Sequence, residues 1–203
     1  IEFSSHKSYK NLQYHHYPES QFAEKMSKIF DHLTTPYVAL CGDDDFITPS
    51  SLSIALKFLE KNPEYIAVQG NSTRFYKVGE MLACCSPYSH VIDLDINGET
   101  PEERIKQCMN PYTPNFYSLH RSENLKFFFQ KIHSQIPNGE LGEIAIALIT
   151  AINGKYKILP IFYTARDGAS YENRYVPPNI LKLQASIEPK LREEYEVFLE
   201  LII

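Results

Sequence analysis

Tryptophan is absent from this 203-residue sequence, and the aromatic weight falls instead on 14 Tyr and 12 Phe, a balance compatible with many classes. Long hydrophobic runs are also missing. No stretch of eighteen apolar residues occurs, which argues against a transmembrane helix, and no secretory signal pattern opens the chain. Cys41, Cys84, Cys85 and Cys108 show no CxxC spacing, and the vicinal pair is a poor disulfide candidate. Reduced thiols in a cytoplasmic protein are therefore expected. Positive charge is not in excess: 20 Lys+Arg stand against 25 Asp+Glu, a net charge of −5. That balance argues against a nucleic-acid backbone as the main partner. There is no internal repeat and no low-complexity tract. The length suits one domain with a sizeable core.

What is present centres on Tyr37-Val38-Ala39-Leu40-Cys41-Gly42-Asp43-Asp44-Asp45-Phe46. A short apolar run bounded by turn signals reads as a buried strand of a parallel sheet. It empties into three consecutive carboxylates. In open α/β sheets the ligand lies beyond the carboxyl ends of the strands. On extended backbone residues i and i+2 point the same way, so Asp43 and Asp45 are expected to converge. Two such oxyanions need a cation between them. Hard oxygen ligands suit Mg²⁺ or Mn²⁺, held by one or two carboxylates together with substrate phosphates. The plainer alternative is an acidic approach to the helix that Thr48 and Pro49 start.

Around this junction an α/β pattern is expected. Phe22, Met26, Ile29, Phe30 and Leu33 mark an amphipathic helix over 20–33, capped by Ser20. A strand over 37–41, a helix over 49–61 ending at Asn62-Pro63, and a strand Tyr65–Gln69 stopped by Gly70 imply a right-handed crossover in a parallel sheet. Ser72–Tyr76, Met81–Cys85 and His90–Leu94 read as antiparallel hairpins on its edge. Thr100-Pro101-Glu102-Glu103 opens a helix with a capping box. Asn115–Leu119 reads as a strand and Ser122–His133 as a helix. His120 and Arg121 either face the site, or Arg121 merely begins that helix in solvent. The His15-His16 pair lacks a third ligand and reads as solvated.

Glu140-Leu141-Gly142-Glu143 begins a helix that is apolar almost all round and therefore buried. Its two carboxylates are conspicuous: either they serve the helix dipole, or one takes a proton in catalysis. Strands Tyr156–Leu159 and Ile161–Tyr163 follow, then Arg166, suited to a phosphate clamp, and a lid-like stretch over 167–178. A final helix over 179–203 carries an apolar stripe. It would dock on the domain, pair with another subunit or approach a membrane surface.

The segment from Thr34 to Gly70, with strand, acidic triplet, Pro-started helix and following strand, resembles the metal-site region of GT-A-fold glycosyltransferases, in particular the family-two-like bacterial enzymes with a DDD form of the DxD motif. The resemblance implies a GT-A-like, mostly parallel central sheet flanked by helices, with a small antiparallel extension and a C-terminal helix. It implies a catalytic domain over 1–178 and a helix over 179–203, with the N-terminal nucleotide-binding unit missing ahead of Ile1. By position, Asp43 and Asp45 would hold Mn²⁺ or Mg²⁺ and the diphosphate, with Asp45 the direct ligand and Asp44 beside them. Glu143 would be the catalytic base and Glu140 the second candidate, although Ile144 stands where the family usually has Asp. Arg166 would clamp the leaving group. The implied partners are a nucleotide-sugar donor and a glycan or lipid-linked acceptor, in surface-polysaccharide or glycan assembly, at the cytoplasmic side of a membrane. Two rivals stand beside it: a non-catalytic sugar- or nucleotide-binding module, and a haloacid-dehalogenase-like phosphotransferase, disfavoured by Phe46-Ile47 after the triplet.

Overall fold

A computed structural model describes residues 11–86, 92–132, 135–136, 138–168 and 188–202. The expected lid beyond Gly168, the start of the last helix and the first ten residues lie outside that set. Among the described residues, no helix is long and apolar enough to cross a membrane.

The helix α1 (Phe22–His32) buries Phe30, which stacks on Phe129 with ring centroids 5.3 Å apart. Ser20 does not cap it; Gln21 holds that position, and the Ser20 hydroxyl accepts from Lys28 Nζ at 2.9 Å. The strand β1 (Tyr37–Ala39) is shorter than its apolar run, and β2 (Phe46–Ile47) follows the acidic turn. The helix α2 (Pro49–Lys61) starts where Pro49 predicts, but the Thr48 hydroxyl donates to Ser51 Oγ rather than capping a backbone amide.

The two strands expected on either side of Gly70 are one, β3 (Tyr65–Val78). Likewise the two expected around Pro160 are one, β7 (Lys155–Asp167). The reason is local. β3 and β7 pair in parallel, with the register shifting between Gln69↔Ile158 and Asn71↔Phe162, so β7 carries extra residues opposite Gly70. Pro160 sits in that bulge, where no amide is needed for the ladder. Gly70 sits opposite because a Cβ there would come 2.5 Å from Ile161 O. Both residues mark a break in pairing rather than the end of a strand.

The hairpin strand β4 (Met81–Cys85) pairs with β3, and β5 (Leu94–Ile96) pairs with β7. The helix α3 (Pro101–Met109) has the predicted capping box: Thr100 Oγ1 accepts from Glu103 N, and Glu103 Oε2 accepts from Thr100 N, both at 3.3 Å. The expected strand at 115–119 is instead a turn, closed by Ser118 N donating to Asn115 O at 3.0 Å. The strand β6 (Leu119–Arg121) starts only at its end. The helix α4 (Ser122–Phe127) runs into a π-helical turn, Phe128–Ile132. The helix α5 (Gly139–Asn153) is buried nearly all round as expected, with Asn138 Oδ1 accepting from Leu141 N. The helix α6 (Pro189–Ile202) docks Leu191 and Phe198 in the same core as α5.

The fold is α/β, but the expected mostly parallel sheet is replaced by a mixed, largely antiparallel one. The strand order is β1-β6-β3-β7-β2, with β4 and β5 attached at the sides, and β3–β7 is the parallel pairing. β1 and β3 are not neighbours; β6 lies between them, antiparallel to each. β1, β3 and β7 therefore share one direction. On one face, Ala55 and Leu59 of α2 pack on Val68 and Tyr163. On the other, Ala147 and Ala151 of α5 and Cys108 of α3 pack on Ala67, Tyr156 and Ile158.

Two arginines, Arg104 buried and Arg121 half-buried, tie these layers together. Arg104 donates from Nε to Ala151 O at 2.7 Å and from Nη2 to Ile152 O at 2.9 Å, closing the C-terminus of α5. Arg121 donates from Nη2 to Leu59 O at 2.8 Å and from Nε to Tyr65 O at 2.9 Å, doing the same for α2. Cations at helix C-termini satisfy orphan carbonyls and oppose the dipole. Arg121 is thus neither a site residue nor a solvated one.

Candidate functional site

The acidic triplet leaves β1 through a turn, with Asp45 N donating to Gly42 O at 3.4 Å. This turn removes the extended backbone on which convergence of Asp43 and Asp45 was premised. Asp43 and Asp44 are exposed, whereas the Asp45 side chain is 5% exposed. Gly42 permits the tight arrangement: a Cβ there would lie 2.9 Å from Asp44 Oδ1 and 3.0 Å from the Tyr117 hydroxyl.

Both oxygens of Asp45 are engaged by protein donors. Oδ1 accepts from Asp167 N at 2.9 Å. Oδ2 accepts from the Tyr117 hydroxyl at 2.5 Å and from Arg166 Nε at 3.3 Å. The Arg166 side chain is 10% exposed, and its guanidinium lies 4.3 Å from the Tyr117 ring centroid. Burial, together with the bond to Asp45, pushes the Tyr117 hydroxyl pKa well up, so it donates throughout the physiological range. Burial first, and then the Asp45 charge, raises the Cys41 thiol; it is no activated nucleophile.

These residues do not fit a divalent ion at Asp45. Its carboxylate already has a guanidinium as counter-ion, and a dication would sit against that positive charge. Among the described residues, no group of three His, Cys, Asp or Glu side chains comes together as an ion-binding set. His15 stacks on His32, centroids 5.2 Å apart, and belongs to no such set either.

Beside the Asp45 cluster, a small pocket of ≈ 30 Å³ opens where β3 and β7 part. Gln69, Asn71, Tyr117, Glu143, Thr164 and Arg166 are among the residues that line it. Gln69 is fixed at both ends, donating to Pro114 O at 2.9 Å and accepting from Ser118 Oγ at 3.2 Å. Glu143 reaches the pocket from the second turn of α5. Burial raises its pKa, the Arg166 charge works against that rise, and Glu140 one turn earlier adds to it. A carboxyl so placed holds its proton to higher pH than a surface one, the direction of shift found at catalytic carboxyls. Glu140 lies in the first turn of α5 and is not among the pocket's lining residues.

His120 does not face this pocket. It is fully buried, its Nε2 donates to Asn115 O at 2.9 Å, and burial pushes its pKa down to about 4. It is therefore neutral, with Nδ1 left to accept from Asn124 Nδ2 at 3.4 Å. Of the expected site residues, Arg166 and Glu143 line the pocket and Asp45 is bonded to Arg166 and Tyr117 without lining it, whereas Asp43, Asp44 and Glu140 are outside the lining. It adds Tyr117, Gln69, Asn71 and Thr164, none of which carries a local sequence signal. Neither family models nor curated proteins provide a match to the chain.

Proposed function

We propose that this chain is a GT-A-like glycosyltransferase domain that moves a sugar from a nucleotide-sugar donor to a hydroxyl acceptor. The observation that carries this reading is Glu143: a half-buried carboxyl of raised pKa in the wall of a pocket that it shares with Arg166. Three things support it. The segment from Thr34 to Gly70 resembles that family. β1, β3 and β7 run in one direction, which puts the acidic turn beyond a strand's carboxyl end, where open sheets bind ligands. The pocket combines neutral hydrogen-bonding side chains with the aromatic faces of Phe116 and Tyr117, a chemistry suited to a sugar ring.

In the proposed reaction the Glu143 carboxylate takes the acceptor hydroxyl proton as that oxygen bonds to the donor's anomeric carbon. The bond from that carbon to the diphosphate breaks on the opposite side, and its electron pair leaves with the nucleotide. Attack from the opposite side inverts the centre. Arg166 sits beside the pocket with its charge available to the departing anion. The transition state is oxocarbenium-like, as in glycoside hydrolysis.

The test is a thermal-shift panel of sugar nucleotides with and without Mn²⁺, followed by donor-dependent transfer assays of wild type and Glu143→Gln. A ligand at a hundred times its Kd stabilises by about 2.7 kcal/mol, a readable shift. Binding followed by transfer that Glu143→Gln abolishes is the expected result. Transfer that survives the substitution removes Glu143 from its role. A second reading, binding without turnover, is favoured by the engagement of Asp45 with Arg166 and by Ile144 in the acidic motif; nucleotide binding with no transfer would select it.

A further inference from the structure

Arg166 stands between two carboxylates that come from opposite sides of the fold. On one side its Nε donates to Asp45, and its plane lies over Tyr117. On the other it shares the pocket wall with Glu143. A free arginine samples many rotamers, and holding it in one costs side-chain entropy. Here that orientation is held by two contacts, the Asp45 carboxylate and the Tyr117 ring. Asp45 is itself anchored by the Asp167 amide, and Tyr117 both donates to Asp45 and supplies the surface on which the guanidinium stacks.

We propose that Asp45 and Tyr117 are positioning residues that hold Arg166 over the pocket, and that Arg166, so held, keeps Glu143 able to ionise. The importance of this for catalysis rests on the proposed role of Glu143 as base; the charge relation itself does not. Among the described residues, the charged groups acting on Glu143 are Arg166 from β7 and Glu140 from its own helix. Burial and Glu140 both favour the neutral acid, and Arg166 alone opposes them. If Arg166 swings away, the effects that remain among the described residues, burial and the Glu140 charge, both favour the neutral acid. Asp45 thus acts on the base through a cation, without touching the ligand.

The experiment is a ¹³C NMR titration of the Glu143 carboxyl in the full chain, assigned by the resonance that Glu143→Gln removes. Wild type is compared with Asp45→Asn and Tyr117→Phe. Loss of positioning predicts an upward shift of the Glu143 midpoint in Asp45→Asn and a smaller upward shift in Tyr117→Phe. The sign discriminates. Deleting the Asp45 negative charge through space alone would make Glu143 easier to ionise and move its midpoint down. A downward or unchanged midpoint in Asp45→Asn overturns the proposal. If Asp45→Asn does not fold, Tyr117→Phe, which leaves every charge in place, decides alone: an upward shift supports the proposal and an unchanged midpoint overturns it. No transfer activity is read, so a protein that titrates as expected yet transfers no sugar would sink the proposed function and leave this inference standing.

Discussion

Two buried polar assemblies lie on either side of the turn that holds Tyr117, and they are built on opposite principles. One is closed and neutral. Asn124 donates to Thr150 Oγ1 at 3.1 Å and to His120 Nδ1, Asn153 Nδ2 donates to Asn124 Oδ1 at 3.1 Å, and His120 Nε2 donates to Asn115 O. The other is charged and open to a pocket: Asp45, Tyr117, Arg166 and Glu143. In the first, the groups satisfy one another and none faces the pocket. In the second, a half-buried carboxyl has a guanidinium to offset its desolvation. Fully satisfied networks specify a fold; titratable groups perturbed in a cleft mark a site. The contrast separates His120 from Glu143, both of which the sequence leaves as candidates for the site.

The largest expected effect breaks the comparison at Glu143. Under the proposed mechanism, Glu143→Gln lowers transfer by about 10²–10⁴-fold. It also raises stability at neutral pH, because the folded carboxyl titrates above its unfolded value and so opposes folding when ionised. Steady-state kinetics beside a urea melt reads both, and a less stable variant would contradict the burial argument. Next comes Arg166→Gln, which strands Asp45 in a 5%-exposed position. It is expected to cost about 3–5 kcal/mol, and adding Asp45→Asn should recover part of that loss. A double variant no more stable than the single would remove the ion pair as the cause.

The neutral assembly is challenged by acid. His120 titrates at about 4 when folded and near 6.5 when unfolded. Below pH 6.5 the unfolded chain binds a proton that the folded one refuses. The contribution is therefore fully present above pH 6.5 and is lost as pH falls to about 4, a loss on the order of 3 kcal/mol. Glu143 acts with the opposite sign, since its protonation at low pH relieves the folded state. Urea midpoints of wild type and Glu143→Gln between pH 7 and 4 separate the two, and the variant should fall more steeply. The smallest effect is expected of Asn124→Ala, about 1–3 kcal/mol, from leaving the buried His120 and Thr150 without their Asn124 partner. Its transfer activity should stay near wild type at temperatures well below its melting point, measured by the same assay.

Helix α5 was legible because its signals are local: Asn138 caps, Gly154 follows its last residue, and an all-round apolar sequence has nowhere to go but the interior. The capping box of α3 was legible for the same reason. The sheet was less so. β6 is three residues long and lies between β1 and β3 through pairings that no local pattern announces. Gly70 and Pro160 each look like a terminator, and only their meeting across β3 and β7 turns two endings into one irregular ladder. At the site, Asp45, Glu143 and Arg166 stood out as charges in unusual settings. Tyr117 did not, because its importance comes from what it touches. The triplet suggested three equivalent acids, whereas the turn at Asp43-Asp44 gives them different fates. The roles of Arg104 and Arg121 were equally hidden, since each meets a helix end far away in sequence.

The bulge where Gly70 faces Pro160 has a consequence for selectivity. One wall of the opening it creates, alongside Thr113, Pro114, Phe116 and Tyr117 from the turn before β6, is hydrogen-bonded ladder strand. Its outline is set when the protein folds, before any guest arrives. Discrimination at that wall must then work by exclusion: one substituent too many on a ring meets backbone, and the backbone does not step aside.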